Sequence, residues 1–266
     1  MTDKRYVFDN AWSQERERLV AAEELLDPGT ISLLERIGTT TGWTCLDVGA
    51  GGGSVAQWLS DRVGSAGHVV ATDINTTLLD PIVRPNLEVR RHDAVNEDLE
   101  VGRFDLVHVR LVLEHLPERQ RVLEKLVRAL KPGGRLVAQA VDYAAAIPVS
   151  EYGAAEHERT QEVRLRTFSA SGLDPYYGRH LPVHLRDAGL VDVGNEGRTW
   201  VMEGGSPAAR WYRLSMEHVR QRLTAPDKLQ SSEIDRMLEL FEDPRWSAFS
   251  MIVVAAWGVR TAAKGT

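Results

Sequence analysis

The run Leu46-Asp47-Val48-Gly49-Ala50-Gly51-Gly52-Gly53-Ser54 joins a predicted strand to a predicted helix. Glycines in that place permit a tight turn and let a ligand approach the backbone closely. Asp73 closes a second apolar run, a position from which a carboxylate can accept hydrogen bonds from both ribose hydroxyls of an adenosine-containing ligand. The same residue type also suits a helix N-terminal cap. His92-Asp93-Ala94 ends a third run, where a carboxylate and a backbone amide can read an adenine edge. Taken together, these residue types describe a nucleoside site built on successive strand ends.

Such a site needs a sheet to hold it. From Trp43 to about Tyr143, short β-type runs alternate with helical patterns, the signature of βαβ units and a parallel sheet. Strands are predicted at Trp43–Val48, His68–Asp73, Asn86–Arg91, Arg103–Val109 and Gly134–Val141, each apolar enough to be covered on both faces. Helices are predicted at Ser54–Val63 and Pro117–Leu130, the second opened by Pro117 and stopped by Pro132-Gly133-Gly134. The first 40 residues read as two helices, Ala11–Leu26 and Thr30–Ile37, parted by Asp27-Pro28-Gly29.

Beyond Val141 the pattern changes. Ala144–Thr167 reads as a polar helix, and Ser169–His180 mixes Gly and Pro with aromatics, so an inserted, mobile cap over 144–180 is expected. A helix at Leu181–Ala188, a strand at Val191–Met202, a helical insertion at about 206–241 and a last strand at Ser247–Val259 follow, the two strands pairing as a hairpin with a long connection. The expected organisation is thus an N-terminal helical lid (1–40), an α/β core (41–143), the cap, and a C-terminal part of the core (181–266).

The ordered motifs LDVGAGGG, ATD, HDA, FDLVHVRLVLEHLP and LKPGG carry a resemblance to class I S-adenosylmethionine (SAM)-dependent methyltransferases, similar to the ubiquinone/menaquinone small-molecule type. It covers Trp43 to Val141 and thins beyond. The resemblance implies a doubly wound, mostly parallel seven-stranded sheet of Rossmann-like form, with SAM as cofactor. It places Gly49, Ala50 and Gly51 against the methionine part, Asp73 with Ile74 at the ribose, Asp93 and Ala94 at the adenine, and Arg110 and Leu111 in the backbone segment after the fourth strand. An NAD-dependent oxidoreductase is the nearest competitor, but the sixth position of its G-x-G-x-x-G fingerprint is Ser54 here. Asp47 also favours the methyl donor, since a carboxylate repels a pyrophosphate and attracts an ammonium.

Methyl transfer requires the nucleophile opposite the leaving group, so alignment and exclusion of water can supply much of the catalysis. A general base matters only for a protonated acceptor, and His115, just past the fourth strand, is the candidate. Tyr143, Tyr176, Tyr177 and His180 are candidate acceptor-pocket residues in or beside the cap, with Tyr6 and Trp12 from the N-terminal segment. Trp200, Met202, Trp211, Tyr212 and Met216 suggest a further apolar wall, and Arg18 could reach a carboxylate.

Composition narrows the partners. With 32 basic against 38 acidic residues, a net charge of −6 and no concentrated Lys/Arg run, neither nucleic acid nor anionic lipid is an expected partner. The expected substrate is a small, largely hydrophobic metabolite whose acceptor atom (O, N or C) is open. A tRNA or protein methyltransferase and a non-catalytic SAM-binding protein are the alternatives. The lone Cys45 excludes an intramolecular disulfide and fits a reducing compartment. The absence of an apolar leader or of any run long enough to span a bilayer points to the cytoplasm. No metal site is expected, and a homodimer is compatible with the sequence.

Overall fold

The computed structural model describes residues 12–261. Strands β1 (Thr44–Val48), β2 (His68–Asp73), β3 (Leu87–Arg91), β4 (Phe104–Arg110), β5 (Leu130–Asp142), β6 (Leu190–Arg198) and β9 (Ile252–Arg260) form one sheet in the order β3-β2-β1-β4-β5-β9-β6. The first five run parallel, and β9 lies antiparallel between β5 and β6. Two short strands, β7 (Val201–Glu203) and β8 (Ser247–Phe249), pair separately. Each of the last two predicted strands is therefore split: the chain breaks the ladder at Thr199-Trp200 and again at Ser250-Met251, where the Ser250 hydroxyl accepts from Trp200 N at 3.0 Å. The hairpin-like pairing of β6 with β9 is as expected.

Successive strand residues point to opposite faces, and the two faces hold different helices. Cys45, Val69, Leu106 and Val137 pack on one face with α1 (Glu15–Arg36) and α2 (Ser54–Val63). Their neighbours Leu46, Val70, Val107 and Leu136 pack on the other with α3 (Arg119–Ala129) and α5 (Tyr177–Asp187). The buried Cys45 is thus an ordinary core residue. A third apolar cluster joins the middle of α1 (Ala21, Ala22, Leu26) to α4 (Ala154–Ala170), α6 (Pro207–Leu223) and α7 (Ser231–Leu240).

Two expectations need correction. The described residues 12–40 hold one helix, not two, since α1 continues through Pro28. Its missing N–H is tolerated there because the next turn is held from outside the backbone ladder: Thr30 Oγ1 donates to Gln139 Oε1 at 2.9 Å and is itself met by Arg110 Nη1 at 3.0 Å. Residues 144–180 are not one cap either. α4 belongs to the third cluster, whereas α5 begins at Tyr177 and seats on the sheet, with Gly178 so close to the Val141–Asp142 backbone that a Cβ would collide with it.

Candidate functional site

The strand order reverses beside β1, whose neighbours β2 and β4 leave from it in opposite directions, and an open α/β sheet binds ligands in the crevice at the carboxyl ends of such strands. A cavity of about 380 Å³ lies there. Its floor is the turn after β1. Gly49 N and Ala50 N donate to Thr72 O at 2.8 and 3.0 Å, which fastens the turn to β2. Gly49, Gly51 and Gly53 have φ of 67°, 57° and 84°, in the left-handed region that glycine enters without strain. A Cβ on Gly49 would also strike the Val112 side chain, so the close approach to the loop after β4 requires glycine.

Asp73, at the end of β2, receives Gly51 N on one carboxylate oxygen and Asn75 N on the other, both at 3.0 Å. Burial raises its pKa, and these amide bonds oppose that rise. The Ile74 amide adds a third such bond, which leaves part of the carboxylate's acceptor capacity free. Asp93 holds its own turn by accepting from Val95 N at 2.9 Å and from Asn96 Nδ2 at 2.7 Å, which presents Ala94 and Val95 to the cavity. On the far side of β1, Leu111 adopts φ 57°, a costly conformation for a side chain of its size, fixed by its N–H bonding Gln139 O at 2.8 Å. Gly49, Ala50, Gly51, Asp73, Ile74, Asp93, Ala94, Arg110 and Leu111 all line this one cavity.

Asp47 is the exception among the expected cofactor residues. It is 2% exposed and points into the sheet, where Oδ1 meets His108 Nδ1 at 2.7 Å. His108 Nε2 lies 3.2 Å from Gln139 Oε1, and through Thr30 and Arg110 the chain of contacts ends at Asp27, 2.8 Å from Arg110 Nη2. Its charge is thus spent on a buried polar network beneath the loop rather than facing a ligand. The alternation of β1 explains this, since Asp47 lies on the face opposite Leu46 and Val48.

The other end of the cavity is apolar and aromatic, walled by Trp12, Tyr143, Phe168, Trp211, Tyr212 and Met216 from the third cluster. Trp12, Tyr143, Trp211, Tyr212 and Met216, which the sequence offers for an acceptor pocket, line this cavity. Trp200 and Met202 do not line it. Tyr6 lies outside the described residues. Tyr176, Tyr177 and His180 are away from the cavity, because seating α5 on β5 carries Tyr177 into the core beneath Leu113 while Tyr176 and His180 face solvent. Arg179 lies over the Tyr176 ring at 5.0 Å, and His180 stacks near His184 at 6.2 Å.

His115 does line the cavity, from a single 3-10 turn at Leu113–His115. It is 2% exposed, and burial, with the charges of Arg18 and Arg119, drives its pKa down to about 3. The imidazole is therefore neutral at physiological pH and only weakly basic, which suits hydrogen bonding and positioning better than proton abstraction. Arg18 reaches a carboxylate within its own helix: Nε and Nη2 donate to Glu15 at 2.8 and 2.6 Å, and Glu15 also lies 3.1 Å from His218 Nδ1. Sequence reading passed over Arg164, a buried arginine at the cavity wall. Its signal was the i, i+4 spacing to Phe168, which puts a cation and an aromatic on one helical face.

Residues 46–138 match the methyltransferase-domain family model. The chain is 31% identical over 141 residues to methyltransferase str2 of Strobilurus tenacellus, an alignment covering 53% of this chain and 50% of that protein. It is 34% identical over 112 residues to the ubiquinone/menaquinone biosynthesis C-methyltransferase UbiE of Pseudomonas savastanoi, covering 39% and 44%. The chain thus spans about half the length of these curated relatives. Among solved structures, Haemonchus contortus phosphoethanolamine N-methyltransferase 2 bound to phosphomonomethylethanolamine and S-adenosylhomocysteine superposes with a TM-score of 0.64 at 16% identity, covering 98% of this chain and 61% of that one. A chain of the complex between the Haloferax volcanii Trm112 methyltransferase activator and a methyltransferase gives 0.59 at 16% identity, covering 98% and 99%. Residues 46–138, which gather the glycine turn, Asp73 and Asp93 on one cavity, are the part of the chain that resembles a methyltransferase domain.

Proposed function

We propose that the chain is a SAM-dependent methyltransferase acting on a small, largely hydrophobic metabolite. One observation carries this reading: a single cavity joins a glycine-lined nucleoside end to an enclosed aromatic end. The residues fit the donor. The cradle at Gly49 is closed to any side chain, and Asp73 has lone pairs to spare beside it. Gly49–Gly51 would hold the amino-acid part, Asp73 the ribose and Asp93-Ala94 the adenine. When bound, SAM supplies an electrophilic methyl group on a sulfonium.

The chain's own contribution is binding, orientation and exclusion of water. Trp12, Phe168, Trp211 and Met216 enclose the acceptor end, so an apolar acceptor gains burial and is held in a restricted set of orientations. His115 stays neutral and lies where it can orient a polar group of the acceptor. Such alignment suits an acceptor that enters already nucleophilic. Incubation of the full chain with methyl-labelled SAM and a host metabolite extract tests the reading. Label in a small organic-soluble product is expected, whereas label only in RNA or protein, or in nothing despite SAM binding, would overturn the choice of substrate or the catalytic role.

A further inference from the structure

The wall of the cavity carries a buried positive charge that no described carboxylate balances. Arg18 and Glu15 neutralise each other across two short hydrogen bonds. Arg164, 8% exposed on α4, has no ion pair among the described residues. Its hydrogen-bond partners, the side chains of Gln161 and Tyr212, are both neutral, its Nε is buried without a partner, and its guanidinium lies over the rings of Tyr143 at 5.6 Å and Tyr212 at 5.4 Å. Nearby, the Trp211 indole N–H, on the same cavity wall, is buried with no acceptor among the described residues.

Burying a guanidinium without a counter-charge is expensive, and ring faces offset only part of the cost. A ligand that brings a negative oxygen into this chamber recovers the cost as binding energy. We infer that the acceptor is an apolar or aromatic molecule bearing an anionic oxygen, a carboxylate or an ionised phenol or enol, which Arg164 holds. The inference rests on the proposed methyl-transfer reading only for the word acceptor, since the anion site itself is a property of the chamber. It accords with His115: an acceptor that arrives as its anion needs no proton removed.

Calorimetry on the full chain tests this with matched probes, 2-naphthoate against 2-naphthamide for a carboxylate, and 4-nitrophenol at pH 8 against 4-nitroanisole for a phenolate. At least tenfold tighter binding of the anion in one pair is expected, and which pair shows it tells carboxylate from phenolate. Arg164→Gln should abolish that preference while leaving the neutral probe and SAM within about twofold of the parent, and Arg164→Lys should restore part of it. No anion preference in either pair, or a preference that survives Arg164→Gln in a folded variant, overturns the inference. Loss of SAM affinity in Arg164→Gln, with the anion preference intact, would assign Arg164 to the donor instead. Should the parent fail to bind SAM while still preferring the anions, the function proposal falls and the anion site stands.

Discussion

The two ends of the cavity are built in different ways. At the proposed nucleoside end, each of these lining residues is the last of a strand or lies in the turn after it: Gly49–Gly51 after β1, Asp73 at the end of β2, Asp93 after β3, Leu111 after β4. The sheet register fixes their spacing, as when Val48 pairs with both Thr72 and Val109. At the proposed acceptor end, Trp12 from the segment before α1, Arg164 and Phe168 from α4, and Trp211 and Met216 from α6 are far apart in sequence and meet around the third hydrophobic cluster. A backbone scaffold therefore presents the donor site, while helix packing shapes the acceptor site. The first should tolerate almost no change in main-chain conformation, and the second should yield to single side chains.

The sharpest test of that contrast is Gly49→Ala. An alanine at φ 67° costs about 1–2 kcal/mol in conformation alone, and overlap with Val112 adds to it. SAM affinity measured by calorimetry should fall by one to two orders of magnitude. Affinity within threefold of the parent would mean that the turn is not the donor cradle.

A smaller effect is expected at His115, which belongs to neither scheme entirely. His115→Asn should keep turnover within about tenfold, because a neutral hydrogen-bonding group is conserved, whereas a general base would cost about 10²–10⁴. The parent rate should show no inflection between pH 5 and 8 that vanishes in His115→Ala. Its appearance in single-turnover profiles would restore the base role.

Glu114 gives a smaller signal, read in stability. It is completely buried in the turn that carries His115, and burial pushes its carboxyl up to about 8 from an ordinary 4.5. The folded state thus holds a proton that the unfolded state gives up above that ordinary value. The resulting stability is present in full below about pH 4.5 and is lost as pH rises through 8. Glu114→Gln removes this dependence, so its melting temperature relative to the parent should rise between pH 5 and pH 8. A constant difference across that range would show Glu114 ionised in the fold.

This division also explains what could be read from the sequence. Strand ends and glycine turns are local, so the residues that line the glycine end of the cavity could be picked out one motif at a time, and five strands and both core helices fell close to their predicted places. Asp47 misled because its chemistry suits an ammonium while the pleat of β1 turns it toward His108. Tyr176, Tyr177 and His180 misled because nothing local to them shows that Gly178 lets α5 lie directly on β5. Arg164 stayed hidden among the charged residues of α4, since its burial depends on α6 and Tyr143, distant in sequence.

Asp73 is where the proposed nucleoside recognition meets the glycine turn. Titration of SAM into the full chain and into Asp73→Ala tests it directly. One donor is expected to bind each parent molecule, and the variant should lose at least tenfold in affinity, since each charge-assisted ribose bond is worth about 1.5–3 kcal/mol. A parent that ignores SAM and binds NAD tightly, or a variant that binds SAM as well as the parent does, would contradict it.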